Sequence, residues 1–503
     1  MIRQILTRVP LWIASCAAAG SAALYGPANL EPPEPTREFR GLWVATVKNI
    51  DWPSQPGLST DQQKSELRAL LDLAVLLKLN AVILQVRPDC DALYASTNEP
   101  WSEVLTGRMG AAPRPFYDPL AFAVEQAHQR GIELHAWFNP FRACVGAARS
   151  VVSASHVSKR CPQLVRNYGP DLWLDPGEPA VQDYSLRVIL DVVRRYDIDG
   201  AHLDDYFYPY PEKTADGKWL EFPDVSTWRR YQAAGGKLNR GDWRRENVDR
   251  FVARLAGAIK EEKSFVKFGI SPFGIWRPGH PAAIKGLDAY NVLFADSRKW
   301  LAEGWVDYLS PQLYWPIAAK EQSYPALLRW WAEQNVQPRH LWPGSDDAKI
   351  GLKWDAQEII NQIRLTRQQP GASGNAHWSG TALLRNRGGI CDALRREVYT
   401  QPALIPASPW LGNTPPAAPK LAAESAGASG PLKLSWEPAN FERVWLWLLQ
   451  TKAGDRWTTE ILCGAQTSRR YGPGTELPEV IALTAIDRCG NASAPVALER
   501  TAP

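Results

Sequence analysis

The sequence predicts a parallel (β/α)8 TIM-type barrel followed by a small all-β sandwich. Three observations carry this prediction. Short β-like runs alternate with amphipathic helical ones from about residue 37 to 400, eight such units can be counted, and the composition changes beyond residue 400. Repeated β-then-α order implies a parallel sheet, and eight units suffice to close a barrel. With 503 residues, 45% apolar and 22% charged, the chain has a globular composition and is too long for one ordinary domain.

The strands read in order are "FRGLWVATV" (39–47), "NAVILQVRP" (80–88), "IELHAWFNP" (132–140), "IDGAHLDDYF" (198–207), "VKFGISPFG" (266–274) and "VDYLSPQLYW" (306–315), with two less clear ones at "HLWPG" (340–344) and "TALLRN" (381–386). Helical spacing of apolar residues separates them over 61–79, 118–131, 180–196, 242–262, 297–303, 323–335 and 355–369. The Pro- and Ala-rich stretch 401–415 reads as a linker. Residues 416–500 alternate apolar and polar positions, and Trp436 with the late "ALTAIDRCGNAS" resembles a fibronectin type III module.

Before the barrel, residues 1–20 have the outline of a bacterial export signal: Arg3 and Arg8, a short apolar segment, then small residues. The segment is too short to span a membrane. Its "IASC" resembles a lipoprotein cleavage box with Cys16 as the lipidated residue. The expected location is therefore the cell envelope, on the periplasmic side and lipid-anchored to a membrane, or outside the cell if the signal is simply cleaved. Export would let Cys144 bond Cys161 and Cys463 bond Cys489. With no CxxC pair and scattered histidines, neither metal nor cofactor is expected. A net charge of +4 without a basic run gives no reason to expect a nucleic-acid partner. The 23 tryptophans beside two methionines point to carbohydrate, whose C–H faces stack on aromatic rings.

In a parallel barrel one parity of each strand faces the helices, the other faces the interior, and chemistry gathers at the C-terminal strand ends. In "DGAHLDDYFYP", Ala201 and Leu203 suit the helices, leaving His202 and Asp204 inward and Asp204 at the mouth. The same rule turns Gln85, Arg87, His135, Trp137, Asn139, Tyr308, Ser310, Gln312 and Tyr314 inward. A barrel interior is ordinarily filled by Val, Ile and Leu, so a polar mouth argues for a site.

"DGAHLDDYFYP" is similar to the chitinase signature of glycoside hydrolase family 18, but the inward positions hold His202, Asp204 and Tyr206, and the glutamic acid of that family is absent. A longer resemblance is to the bacterial glycosyl hydrolase-like family 10, formerly domain of unknown function 187. It runs in order through "EFRGLWVATVKNIDWP", "QVRPDCDALYAS", "EPWS", "GIELHAWFNPFR", "DGAHLDDYFYP", "DWRRENV", "FGISPFGIW" and "ADSRKWLAEGWVDYLSPQLYW". The resemblance implies an envelope glycosidase acting on peptidoglycan glycan strands, some members preferring strands stripped of peptides.

Glycoside hydrolysis usually uses two carboxyls flanking the bond. Asp204 is the first candidate, with Asp205, Asp89, Asp91, Glu99 or Asp296 as partner, although Asp296 also suits a helix cap. An N-acetylated sugar offers another route, its own acetamide acting as nucleophile. Trp43, Trp101, Trp137, Tyr206, Tyr208, Tyr314 and Trp315 would stack on sugars, and Arg40, Arg87, Asn139 and Gln312 would bond hydroxyls or acetamides. Tyr94, Glu99, His135 and His202 complete the expected binding set. Two rival readings stay open: a catalytically inactive glycan-binding barrel, and a hydrolase of another envelope or extracellular polysaccharide.

Overall fold

The structure, a computed structural model, describes residues 24–146, 151–425, 431–440 and 443–501. Cys16 and the signal-like segment lie outside the described residues. The barrel strands are β1 (Phe39–Val44), β2 (Ala81–Arg87), β3 (Glu133–Phe138), β4 (Gly200–Leu203), β5 (Lys267–Ile270), β6 (Tyr308–Leu309), β7 (two segments, His340–Leu341 and Gly344–Asp346) and β8 (Gly374–Trp378). Each pairs in parallel with the next and β8 returns to β1. The first segment of β7 pairs with β6 and the second with β8, which closes the barrel. Helices fill the crossovers, and several are fastened at the N-terminus by a side chain that accepts an orphan backbone N–H: Ser59 in a capping box with Gln62, Asp118, Asn239 and Asp355.

Strand parity sorts the core into two. Leu42, Val82, Leu84, Leu134, Ala136, Ala201, Leu203, Phe268, Ile270 and Leu309 pack outward beneath the helices. Phe39, Trp43, Ala81, Ile83, Trp137, Tyr308, Trp342 and Ala376 meet inside the barrel. The interior is filled by setting large rings against glycines. A Cβ on Gly269 would lie 1.9 Å from the Tyr308 ring, and one on Gly200 would lie 2.6 Å from His135.

The eighth strand is not "TALLRN". Gly380–Leu384 is helical, and the strand is "GNAHW" just before it. Apolar patterning misses this strand because its outward residues are polar. Asn375 bonds Tyr324 and Thr366, and His377 bonds Asp347 and Tyr399.

The C-terminal domain is two antiparallel sheets around one apolar core that includes Trp436 from one sheet and Trp447 from the other. An N-terminal strand that sequence reading did not assign, Tyr25–Ala28, adds to its edge by pairing with Val496–Arg500. Part of the 401–415 stretch is docked on the N-terminal rim of the barrel. Leu404 exchanges backbone bonds with residues 36 and 38, Ser408 meets His340, and Trp410 donates to Asp307. Arg488 then ties the β domain to Asp199 at the foot of β4. Cys161, Cys463 and Cys489 are free thiols, so neither expected disulfide is formed.

Gly269→Ala forces a methyl into the space of the Tyr308 ring and is expected to cost about 1–3 kcal/mol in urea unfolding. Gly257→Ala, on an exposed helical face with open space around it, is expected to stabilise by about 0.5–1 kcal/mol in the same assay.

Candidate active site

The C-terminal ends of the strands enclose a cleft of about 260 Å³ lined by Trp43, Trp137, Asp204, Asp205, Tyr206, Tyr210, Ser271, Gln312, Tyr314, Asp346 and Trp378. Its floor is the polar interior of the barrel. His202 Nε2 lies 3.3 Å from Trp43 Nε1 and 3.0 Å from Ser271 Oγ, while its Nδ1 lies 3.0 Å from the Tyr308 hydroxyl. Burial and the nearby His135 push His202 far below the usual imidazole range, so it is neutral.

Asp204 follows β4 and is 4% exposed. Both its oxygens accept from the Asn139 amide, at 2.8 and 2.6 Å. The orientation of that amide is set in turn: Gln85 Nε2 donates to Asn139 Oδ1 at 2.7 Å, and Gln85 Oε1 accepts the backbone N–H groups of Thr46 and Val47. Asp205 accepts a hydrogen bond from the Tyr210 hydroxyl and another from Gln312. Burial lifts the Asp204 carboxyl to about 7, the charge of Asp205 adding to the effect while Arg142 and Asn139 oppose it. Burial likewise lifts Asp205 to about 6, against its bonds from Tyr210 and Gln312. Two adjacent buried carboxyls cannot easily ionise together, so the pair holds a proton into the neutral range.

Several expected site residues lie elsewhere. Arg40 sits near the opposite, N-terminal end of β1, bonded to Glu38 and the Gln401 carbonyl, and cannot reach the mouth. Arg87 does not line the cleft: a register shift at the end of β2 turns it into a buried pair with Glu99, which also accepts from Tyr184. The cation that faces Asp204 is Arg142, held at 2.9 Å by Asp89. Asp89 is thus engaged behind the cleft, and Asp91 folds back on the Asp89 backbone N–H. Asp296 caps Ser297–Ala302 and accepts from Trp276, away from the cleft. Tyr94 and Tyr208 are buried in the core under the helices, Trp101 packs edge-on to Phe116, and Trp315 packs edge-on to Phe273. His135, His202 and Asn139 support the cleft from below and do not line it.

Sequence reasoning missed Tyr210, Ser271, Asp346 and Trp378 among the lining residues, and Arg142 behind them. The parity rule reaches Asp346 once β7 is extended past Gly344, since Trp342, Gly344 and Asp346 share one face. Asp346 and Trp378 are direct neighbours across β7 and β8. Lys349 bonds Asp346 Oδ2 at 3.1 Å.

Cleaving an acetal link between sugars calls for a proton donor that stays protonated in neutral water, carboxylate charge nearby and flat apolar walls for the rings. This mouth supplies all three, and the chain is a glycoside hydrolase. The model of the family described as Glycosyl hydrolase-like 10 matches residues 38–359, and the chain belongs to that family. It is 42% identical over 417 residues to the glycosyl hydrolase YngK of Bacillus subtilis, covering 80% of each chain. It is 35% identical over 407 residues to the glycosyl hydrolase DigH of Escherichia coli, covering 74% of this chain and 90% of that one. Among solved structures it is similar to the PgaB glycoside hydrolase domain of Bordetella bronchiseptica, with a TM-score of 0.47 and 15% identity over 72% of this chain and 99% of that one.

The shared proton predicts a bell-shaped pH dependence of kcat/KM with limbs near 6 and 7, both above the usual carboxyl range. In Asp205→Asn the like charge is gone and Asp204 ionises more easily. Its alkaline limb is expected to move to lower pH, read from the residual rate or from direct titration of the Asp204 carboxyl.

Proposed function

We propose that the enzyme hydrolyses glycosidic bonds in the glycan strands of bacterial peptidoglycan, with peptide-free strands as its preferred form. The observation that carries this reading is the proton-sharing Asp204–Asp205 pair in a cleft with Trp43, Trp137 and Trp378 on its walls. The resemblance of the barrel motifs to a family acting on such strands supports the choice of polymer. A lipid on Cys16 is the proposed tether to an envelope membrane.

In this reading Asp204 is the general acid. It delivers its proton to the leaving oxygen as the bond to the anomeric carbon breaks, and Asn139 holds the resulting carboxylate with two hydrogen bonds already in place. Asp205 keeps the Asp204 proton on at neutral pH and, as a lining residue of the cleft, is the proposed acceptor of a sugar hydroxyl. Arg142 stops the pair from becoming too basic to release that proton.

Digestion of purified peptidoglycan, with and without its peptides, tests this. The wild-type enzyme is expected to release new reducing ends faster from the peptide-free strands, with products read by mass spectrometry. Asp204→Asn is expected to lose turnover by about 10²–10⁴-fold while still binding the strands. Binding without turnover by the wild type would identify a glycan-recognition barrel, and turnover of an unrelated polysaccharide alone would move the substrate.

A further inference from the structure

Two residues that line the cleft each carry a buried polar atom with no hydrogen-bond partner: the Trp137 indole N–H and Asp346 Oδ1. Their residues are 6% and 7% exposed. A buried polar atom left unbonded costs about 1–3 kcal/mol, so two of them in one cleft, one donor and one acceptor, describe the polar outline of a ligand. That ligand must accept from the indole and donate to a carboxylate. A hydroxyl does both, and so does an acetamide.

The surroundings choose between them. Trp137 and Trp378 form a corner, with ring centroids 6.2 Å apart and planes at 67°. Trp43 flanks the same His202 ring as Trp137, with centroids 6.1 and 6.4 Å from it. Gly344 lets the Trp43 edge and the Tyr314 ring close in, 2.9 and 3.1 Å from the place a Cβ would take, so this wall of the cleft is filled with aromatic carbon. A hydroxyl gives such an apolar corner nothing to hold. The methyl of an acetamide would lie against these aromatic walls, with its C=O turned toward Trp137 and its N–H toward Asp346.

We infer that this corner holds the 2-acetamido group of the sugar whose bond is cut, and that the acetamide oxygen is the nucleophile, with Asp346 as the residue that positions it. The inference rests on the proposed reading of the same cleft. The amide oxygen bonds to the anomeric carbon as the glycosidic C–O bond breaks and the leaving oxygen takes the Asp204 proton. The resulting oxazolinium carries a positive N–H, which the Asp346 carboxylate, braced by Lys349 on its other oxygen, stabilises. Water then attacks the same carbon, gives its proton to the Asp204 carboxylate and restores the amide. Configuration is retained without a covalent bond to the protein.

The first arm of the test varies the substrate, so it does not depend on the folding of any variant. Peptide-free glycan strands are compared with the same strands chemically N-deacetylated, and with strands carrying N-trifluoroacetyl groups, whose oxygen is a poorer nucleophile. Turnover is expected to fall in the order acetyl, trifluoroacetyl, free amine, with the amine at least about 100-fold slower while still bound. Asp346→Asn is expected to lower kcat on acetylated strands by about 10²-fold with KM little changed, because the oxazolinium forms only after binding. Free-amine strands cleaved within a few-fold of the acetylated ones would overturn the inference and leave the glycosidase reading intact if Asp204→Asn abolished that cleavage. Acetylated strands that remain inert while a polysaccharide without acetamides is hydrolysed would sink both the inference and the proposed substrate.

Discussion

The hydroxyl of Tyr308, in the middle of the barrel, joins His202 and His135 into one column of hydrogen bonds beneath the cleft. The Trp43 indole can only donate, so His202 Nε2 accepts, and neutral His202 carries its proton on Nδ1. That proton goes to Tyr308, whose own O–H then points to His135 Nδ1 at 2.8 Å. His135 is left with its Nε2 proton for Glu133, which Lys267 neutralises at 2.8 Å. The column runs in one sense from the wall of the cleft to the closed end of the barrel. It exists because Gly269 and Gly200 leave room for the rings. A fully apolar filling would support the same fold but would not hold Trp43 in one orientation.

Above that column the electrostatics are layered. Asp89 fixes Arg142, Arg142 moderates Asp204, and Asn139 is aimed by Gln85, whose own amide is fixed by the backbone of the loop after β1. The residues that touch the cleft are therefore few, and those that tune it come from several other strand ends. Fixed dipoles of this kind stabilise charge without rearranging during the reaction.

Most of this architecture was legible in the sequence because barrel parity is a strict rule. Asp204, Trp137, His135, His202 and Gln312 lie on the faces the alternation assigned them. The misses have physical causes. β8 hides behind outward-facing polar residues that bond Tyr324, Thr366 and Asp347. Asp346 and Trp378, at the ends of the two least apolar strands, were lost with it. Arg40 and Arg87 were misplaced for different reasons. One lies at the wrong end of its strand, and the other is redirected by a bulge that no spacing rule foresees. Asp296 shows how a carboxylate after a strand can be fully accounted for by a helix N-terminus.

The short strand Tyr25–Ala28 has a consequence for how the chain comes to be folded. Its partner, Val496–Arg500, follows the whole barrel in chain order, so this edge of the β domain is completed only after the barrel has been synthesised. The barrel between them is complete much earlier, while Tyr25, whose hydroxyl must reach the Pro478 carbonyl, is still waiting. Contacts of such sequence separation form late and, once made, hold together the segments on either side of the barrel. The barrel is thereby a loop locked at its base, and a pull transmitted through the chain before Tyr25 is borne first by the sheet of the C-terminal domain, not by the barrel that carries the catalytic cleft.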